Sequence, residues 1–249
     1  MKIGIIGAGN IGGTLARKFV AAGHRVKLAG SKGASEIQQL ADRIGAIAVA
    51  SQEATEDVDV IILSIPFASI PEVAGIVASA APDVIVIDTS NYYPQFGTRI
   101  SEVEAGQPES MWSSERLGRP VIKTFNAALA KTLADGGKSK GAVDRIAMPL
   151  SGDFQPGKAI VSKLIDDAGF EPFDAGSLAL SWRHQPGTPA YCTELTLPEL
   201  EWAISHAVKD LAPHNRDALM AEFAASEAPL DHAAVIKRNR EVTAPSSMA

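Results

Sequence analysis

The sequence predicts an α/β protein of Rossmann type: a doubly wound parallel sheet with a small C-terminal α/β portion. Three observations predict it. Over the first 90 residues, short apolar runs alternate with amphipathic stretches of ten or so residues, the pattern of parallel strands joined by helical crossovers. The first run leads into Gly7-Ala8-Gly9-Asn10-Ile11-Gly12, a G-x-G-x-x-G turn set between strand and helix. At 249 residues and 46% hydrophobic, the chain can build one large α/β domain or two modest ones.

The elements follow in order. Ile3 to Ile6 is a short apolar run of the kind buried on both faces of a parallel sheet. Residues 10–22 carry Ile11, Leu15, Phe19 and Val20 at helical spacing, and Gly23 stops that helix. Arg25 to Ala29 reads as the second strand. Ser35 is placed to cap a helix with Ile37, Leu40, Ala41 and Ile44 on one face, closed by Gly45. Ile47 to Ala50 and Val58 to Ile65 read as the third and fourth strands, Pro71 as the opening of another helix, and Val84 to Asp88 as the fifth strand. After a polar stretch at 99–119 with room for a short helix, Val121 to Asn126 gives a sixth strand and Arg145 to Gly152 a further one. Ile160, Val161, Leu164, Ile165 and Ala168 mark a helical face ended by Gly169, and a strand follows near Phe170 to Asp174. Beyond an irregular segment, SWRHQPGTPAYCTEL, helices are expected near 198–211 and 214–225. The division this suggests is 1–140 as the nucleotide domain, 141–228 as the smaller α/β portion completing the acceptor site, and 229–249, which lacks a hydrophobic face, as a flexible tail.

A net charge of −6 argues against a nucleic-acid partner, which calls for a basic face. No stretch approaches the roughly 20 apolar residues of a membrane span. The start, MKIGIIGAGNIGG, has no signal-type pattern, and the one cysteine, Cys192, fits a reducing cytoplasm. The histidines at 24, 184, 206, 214 and 232 show no H-x-x-x-H spacing, so no metal is expected.

In the glycine turn, Gly7 permits the bend, Gly9 lets the backbone approach a pyrophosphate, and Gly12 lets helix and strand pack closely. The backbone N–H groups of Asn10, Ile11 and Gly12 then face the phosphates with the helix dipole behind them. The second strand, where an acid ordinarily grips the ribose, ends instead Gly30-Ser31-Lys32-Gly33, with no carboxylate until Glu36. Ser31 and Lys32 offer a hydroxyl and a cation, which predicts NADP(H) rather than NAD(H). Ser64, Ile65 and Pro66, with Phe67 as wall or core, end the fourth strand beside the adenosine. Asn91 after strand five, and Asn126 and Ala127 after strand six, should converge on the same edge, to orient a nicotinamide or simply to form turns.

These segments together, IGIIGAGNIGGTLA, GSK, SIPF, DTSNYYP, VIKTFNAALA and SWRHQPGTPAYCTEL, resemble the F420-dependent NADP oxidoreductases over roughly residues 1–225. The resemblance implies a usually dimeric protein that moves hydride between NADP and the deazaflavin F420, or passes electrons from NADPH to a flavin (FMN or FAD). It also implies a 2′-phosphate clamp at Ser31 and Lys32 and a nicotinamide floor at VIKTFN.

Hydride transfer between two ring cofactors needs alignment more than acid–base chemistry. A carbonyl or imine reductase, the alternative, needs a proton donor. His184 is the first candidate and Tyr191 the second, although a loop packed by Trp182 with His184 in solvent is the favoured reading. A non-catalytic NADPH-binding redox sensor is a third reading. A 6-phosphogluconate-type dehydrogenase would need a long helical C-terminal domain and a catalytic lysine; Lys158 and Lys163 instead read as solvated. Leu200 and Trp202 lie on a helix whose apolar face serves core or dimer interface.

Overall fold

A computed structural model describes residues 1–226, 228 and 230–244. Its first half follows the alternating pattern: β1 (Lys2–Ile6), α1 (Asn10–Ala21), β2 (Arg25–Ala29), α2 (Ala34–Ile44), β3 (Ile47–Val49), β4 (Val60–Leu63), α3 (Ala74–Ala78) and β5 (Ile85–Asp88). Two short helices, α4 (Ser101–Glu104) and α5 (Glu109–Leu117), precede β6 (Val121–Thr124), and α6 (Ala130–Asp135) precedes β7 (Ala147–Ser151). Then come α7 (Gln155–Asp167), β8 (Glu171–Asp174), α8 (Leu197–Ser205), α9 (Leu211–Ala225) and α10 (His232–Thr243).

All the strands join one sheet in the order β3-β2-β1-β4-β5-β6-β7-β8. Side chains alternate across it. Ile3, Ile5, Val60 and Ile62 point into a core under α1 and α7, while Ile61, Leu63 and Val86 point into one around Phe67 and Trp112. The parallel register pairs Ala29 with Ile6, Ile6 with Leu63, Leu63 with Asp88 and Asp88 with Lys123. The strands therefore finish level, and the residues that follow them line one edge, the position where open α/β sheets bind ligands. Between β1 and β4 the chain changes direction along the sheet, which is the switch point.

β7 departs from the parallel rule. It pairs antiparallel with β6, over only Lys123 with Ser151 and Thr124 with Leu150, and parallel with β8. The rest of β7 thus runs past the carboxyl end of β6 and brings the later chain over the site.

Several expectations are corrected. Ser35 does not cap α2: the helix starts at Ala34 after Gly33, whose φ of 92° suits glycine. Pro71 lies inside a 3₁₀ stretch, Phe67–Val73, because its missing N–H is tolerated there; α3 follows it. Ile160 is 38% exposed, on the rim of its helical face. Lys158 is buried, its ammonium 2.6 Å from Asp174 and donating to the Gly176 carbonyl at 3.2 Å. The tail beginning at 229 instead carries α10, held mainly by polar contacts. Asp231 caps it by accepting the Ala234 N–H at 2.8 Å. Arg240 donates to the carbonyls of Thr193 and Glu194 at 2.7 and 2.8 Å, and His232 lies 2.8 Å from Glu194. Ile236 supplies the apolar contact; residues 245–249 lie outside the described residues. Among the described residues, no helix is long and apolar enough to cross a membrane.

Candidate functional site

The glycine turn leaves β1 with Gly7 at φ 108°, its N–H donating to the Ala29 carbonyl at 2.9 Å. A methyl on Gly7 would lie 2.0 Å from the Ser64 carbonyl oxygen, and one on Gly12 would lie 1.9 Å from that of Gly7. Both glycines are thus demanded by close backbone packing. Gly9 differs, because a methyl there would meet nothing within 4 Å. It borders an open cleft of about 460 Å³ together with Asn10, Thr14, Arg17, Arg43 and Ala130. No side chain caps α1, and no acid lies in its first turn. Its free N–H groups and that opening fit a pyrophosphate.

At the end of β2, Ser31 is exposed and the Lys32 side chain is 80% exposed, with its Nζ 3.6 Å from Glu36 Oε1. The second carboxylate oxygen of Glu36 accepts the Lys32 backbone N–H at 3.2 Å. The clamp residues are therefore present, but their cation already shares a carboxylate. After β4, Ser64 and Ile65 are half-buried and Pro66 is exposed, whereas Phe67 belongs to the core. Its ring stacks on Trp112 with centroids 4.8 Å apart.

Behind the ends of β5 and β6 lies a buried polar cluster. Lys123 donates to Asp88 Oδ2 at 3.1 Å and to the Ser90 carbonyl. Ser90 Oγ donates to Asp88 Oδ1 at 2.6 Å. Asn91 donates to the Asn126 carbonyl at 3.0 Å, and Asn126 Nδ2 donates to Asn91 Oδ1 at 3.1 Å and to the His184 carbonyl at 2.9 Å. Asn126 follows Phe125, a non-glycine residue at φ 60°. This sparsely populated conformation turns the asparagine across the strand end, and the Phe125 ring pays for it by packing edge-on against Phe19 of α1, 6.2 Å away.

His184 is fully buried, which overturns the expectation that it is solvated. Its Nδ1 is 3.1 Å from Asn126 Oδ1, which can only accept, so Nδ1 carries the proton and Nε2 accepts from the Ser151 hydroxyl at 2.9 Å. Burial, with the Lys123 cation adding to it, pushes the imidazole down to about 3. At neutral pH it is an uncharged strut that fixes Asn126, with no proton to spare for a substrate. Tyr191 is also buried and accepts a hydrogen bond from the Tyr93 hydroxyl at 2.9 Å. Burial raises both phenols. Cys192 is buried and its thiol pushed up to about 12, which leaves it unreactive.

Sequence reasoning missed Glu109. It opens α5 inside a polar stretch with no motif, yet it is buried, and its backbone N–H donates to Gln185 at 3.2 Å. Burial raises its carboxyl to about 7 against the opposing pull of Lys123. Glu109 Oε2 has no hydrogen-bond partner among the described residues, nor do the hydroxyls of Ser110, Ser113 and Ser181. Ser151 was also unflagged; only the folding of β7 against β6 shows it.

The family model described as NADP oxidoreductase, coenzyme F420-dependent, matches residues 2–92, which span the glycine turn, the Ser31-Lys32 loop and Asn91. The chain belongs to that family. The Sinorhizobium meliloti protein SMa0349 shares 33% identity, with 78% of this chain and 95% of that one aligned and a TM-score of 0.68. Escherichia coli K12 YjhV is 31% identical over 106 residues, covering 43% of this chain and 77% of its own. An Arthrobacter sp. FB24 protein, named as a candidate F420-dependent NADP reductase, is 21% identical over 73% of this chain and 87% of its own, with a TM-score of 0.60. At that identity the last likeness is one of fold.

Proposed function

We propose that this member of the NADP-dependent oxidoreductase family moves hydride between NADP(H) and a deazaflavin (F420) or flavin (FMN or FAD) acceptor. One observation carries the reading: Asn91 and Asn126 are locked at the ends of neighbouring strands by a neutral, buried His184. Such an edge is rigid and internally hydrogen-bonded, and the carboxylate behind it, Asp88, is paired with Lys123. The edge serves a reaction that needs two rings aligned and water excluded.

In this reading Gly9, Asn10, Ile11 and Gly12 present backbone N–H groups to the pyrophosphate. Ser31 and Lys32 meet the 2′-phosphate, and Ser64, Ile65 and Pro66 flank the adenosine. Asn91, Asn126 and Ala127 lie at the nicotinamide. When bound, NADPH supplies the hydride; the protein's side chains hold and orient. His184 acts on Asn126 as a positioning residue. The carbonyl or imine reductase loses its first proton donor, because His184 is uncharged and enclosed.

The test is NADPH oxidation followed at 340 nm with F420, FMN, FAD and a quinone offered in turn. Turnover with a deazaflavin or flavin is the expected result. Turnover confined to carbonyl or imine substrates would replace this reading with the reductase, and tight NADPH binding without turnover would replace it with the sensor. The same reading takes the active form as a homodimer. Leu200 is spent in the core, but Trp202 borders an open apolar hollow of about 400 Å³ with Pro189, Leu195 and Pro198. A monomer in sedimentation at micromolar concentration would defeat the dimer.

A further inference from the structure

The loop that closes β2 contains more than its sequence suggests. A methyl on Gly30 would lie 2.7 Å from Ile37 Cγ2 and 3.5 Å from Glu36 Oε2, so the first turn of α2 sits directly against the strand end. Glu36 is the acid in that first turn, where the helix dipole favours a negative charge. Its carboxylate holds the loop from beneath, accepting the Lys32 N–H at 3.2 Å and standing 3.6 Å from the Lys32 ammonium. The acid missing from the strand end has come back from the helix.

We infer that Glu36 is a specificity-determining residue for the cofactor, one that holds down the preference for a 2′-phosphate over a 2′-hydroxyl. The inference rests on the nucleotide-binding reading above. A 2′-hydroxyl is a donor, and a carboxylate at this spot accepts from it. A 2′-phosphate brings a charge of about −1.5 to −2 and no donor. It must draw Lys32 away from Glu36 and then remain near that carboxylate. Ser31 and Lys32 favour NADPH, and Glu36 opposes them. The balance of the three sets the ratio.

The experiment titrates NADPH, NADH, adenosine 2′,5′-bisphosphate and adenosine 5′-monophosphate into wild type, Glu36→Gln, Lys32→Ala and the double variant. Glutamine keeps an oxygen for the Lys32 N–H, so the loop holds; a thermal melt within a degree or two of wild type checks this. The expected result is that Glu36→Gln tightens NADPH and the bisphosphate about tenfold, while NADH and the monophosphate stay level or weaken. Lys32→Ala added to it should remove the gain. A ratio unmoved within twofold, or NADPH weakened by Glu36→Gln, overturns the role of Glu36 and makes it a brace for Lys32. Failure of wild type to bind either dinucleotide would overturn the nucleotide reading itself, and this inference with it.

Discussion

Glu109→Gln is the substitution whose effect the structure defines best. The carboxyl is buried, and its affinity for the proton rises from 4.5 to about 7 on folding. Below pH 4.5 it is neutral in both states and contributes no difference. Between pH 4.5 and 7 the unfolded chain releases the proton while the folded chain keeps it, so stability falls as pH rises. Above pH 7 both forms are ionised and the full cost stands. At about 1.4 kcal/mol per unit that cost is about 3 kcal/mol, the net of burial against the opposing pulls of Lys123 and Gln185. Glutamine is neutral throughout. Urea unfolding of both proteins, followed by tryptophan fluorescence, should give similar stabilities at pH 4.5. By pH 8 the variant should be more stable by about 2–3 kcal/mol, or roughly 1 M in midpoint. His184 titrates with the opposite sense, but the comparison between the two proteins cancels it. A difference that stays flat from pH 4.5 to 8 would refute the claim that Glu109 is buried without adequate partners.

His184 should be read in the Glu109→Gln background. Its imidazole drops from 6.5 to about 3 on folding, so its contribution is present above pH 6.5 and lost as pH falls towards 3, by about 4–5 kcal/mol at most; an acid limb unchanged by His184→Gln would sink this. Lys32→Ala should weaken NADPH about tenfold and leave NADH unaltered by fluorescence titration, and equal effects on both would mean there is no clamp. Gly9→Ala should melt within about 1 kcal/mol of wild type, since a methyl there meets nothing within 4 Å, yet lose dinucleotide affinity. Gly12→Ala, 1.9 Å from the Gly7 oxygen, should lose stability too. Arg240→Ala should cost about 2–3 kcal/mol by releasing two carbonyls and should raise amide exchange in α10, and an unchanged exchange pattern there would count against its anchoring role.

What could be read from the chain was local. The glycine turn was legible because each glycine answers a constraint from neighbours a few residues away or from a strand whose apolar run declared itself. The strands and α1, α2 and α7 followed from periodicity in the same way. His184, Lys158 and Glu109 were misread or missed because their partners are distant in sequence: Asn126 and Ser151 for His184, Asp174 for Lys158, Lys123 and Gln185 for Glu109. No periodicity encodes a histidine folded against a strand that runs backwards. α10 escaped for a related reason. It is tied down by Arg240 and His232 rather than by a hydrophobic stripe, so its amphipathic signal is weak. Glu36 entered the reading only as the first carboxylate after the strand, yet one turn of helix carries it back to Lys32.

The Phe19–Phe125 contact joins two things that the chain holds far apart. Phe19 stands on the helix whose first turn is proposed to face the pyrophosphate, and Phe125 sets the angle of the asparagine proposed to lie at the other end of the cofactor. The spacing between those ends is therefore a property of the packed core and not of any mobile loop. In the proposed reading it acts as a gauge: a dinucleotide either matches that length or fails to present its ring at the far end. A smaller residue at 125 would slacken that gauge and also cost stability, by about 3–5 kcal/mol for alanine, because the ring is buried in the core and offsets the strained backbone beneath it.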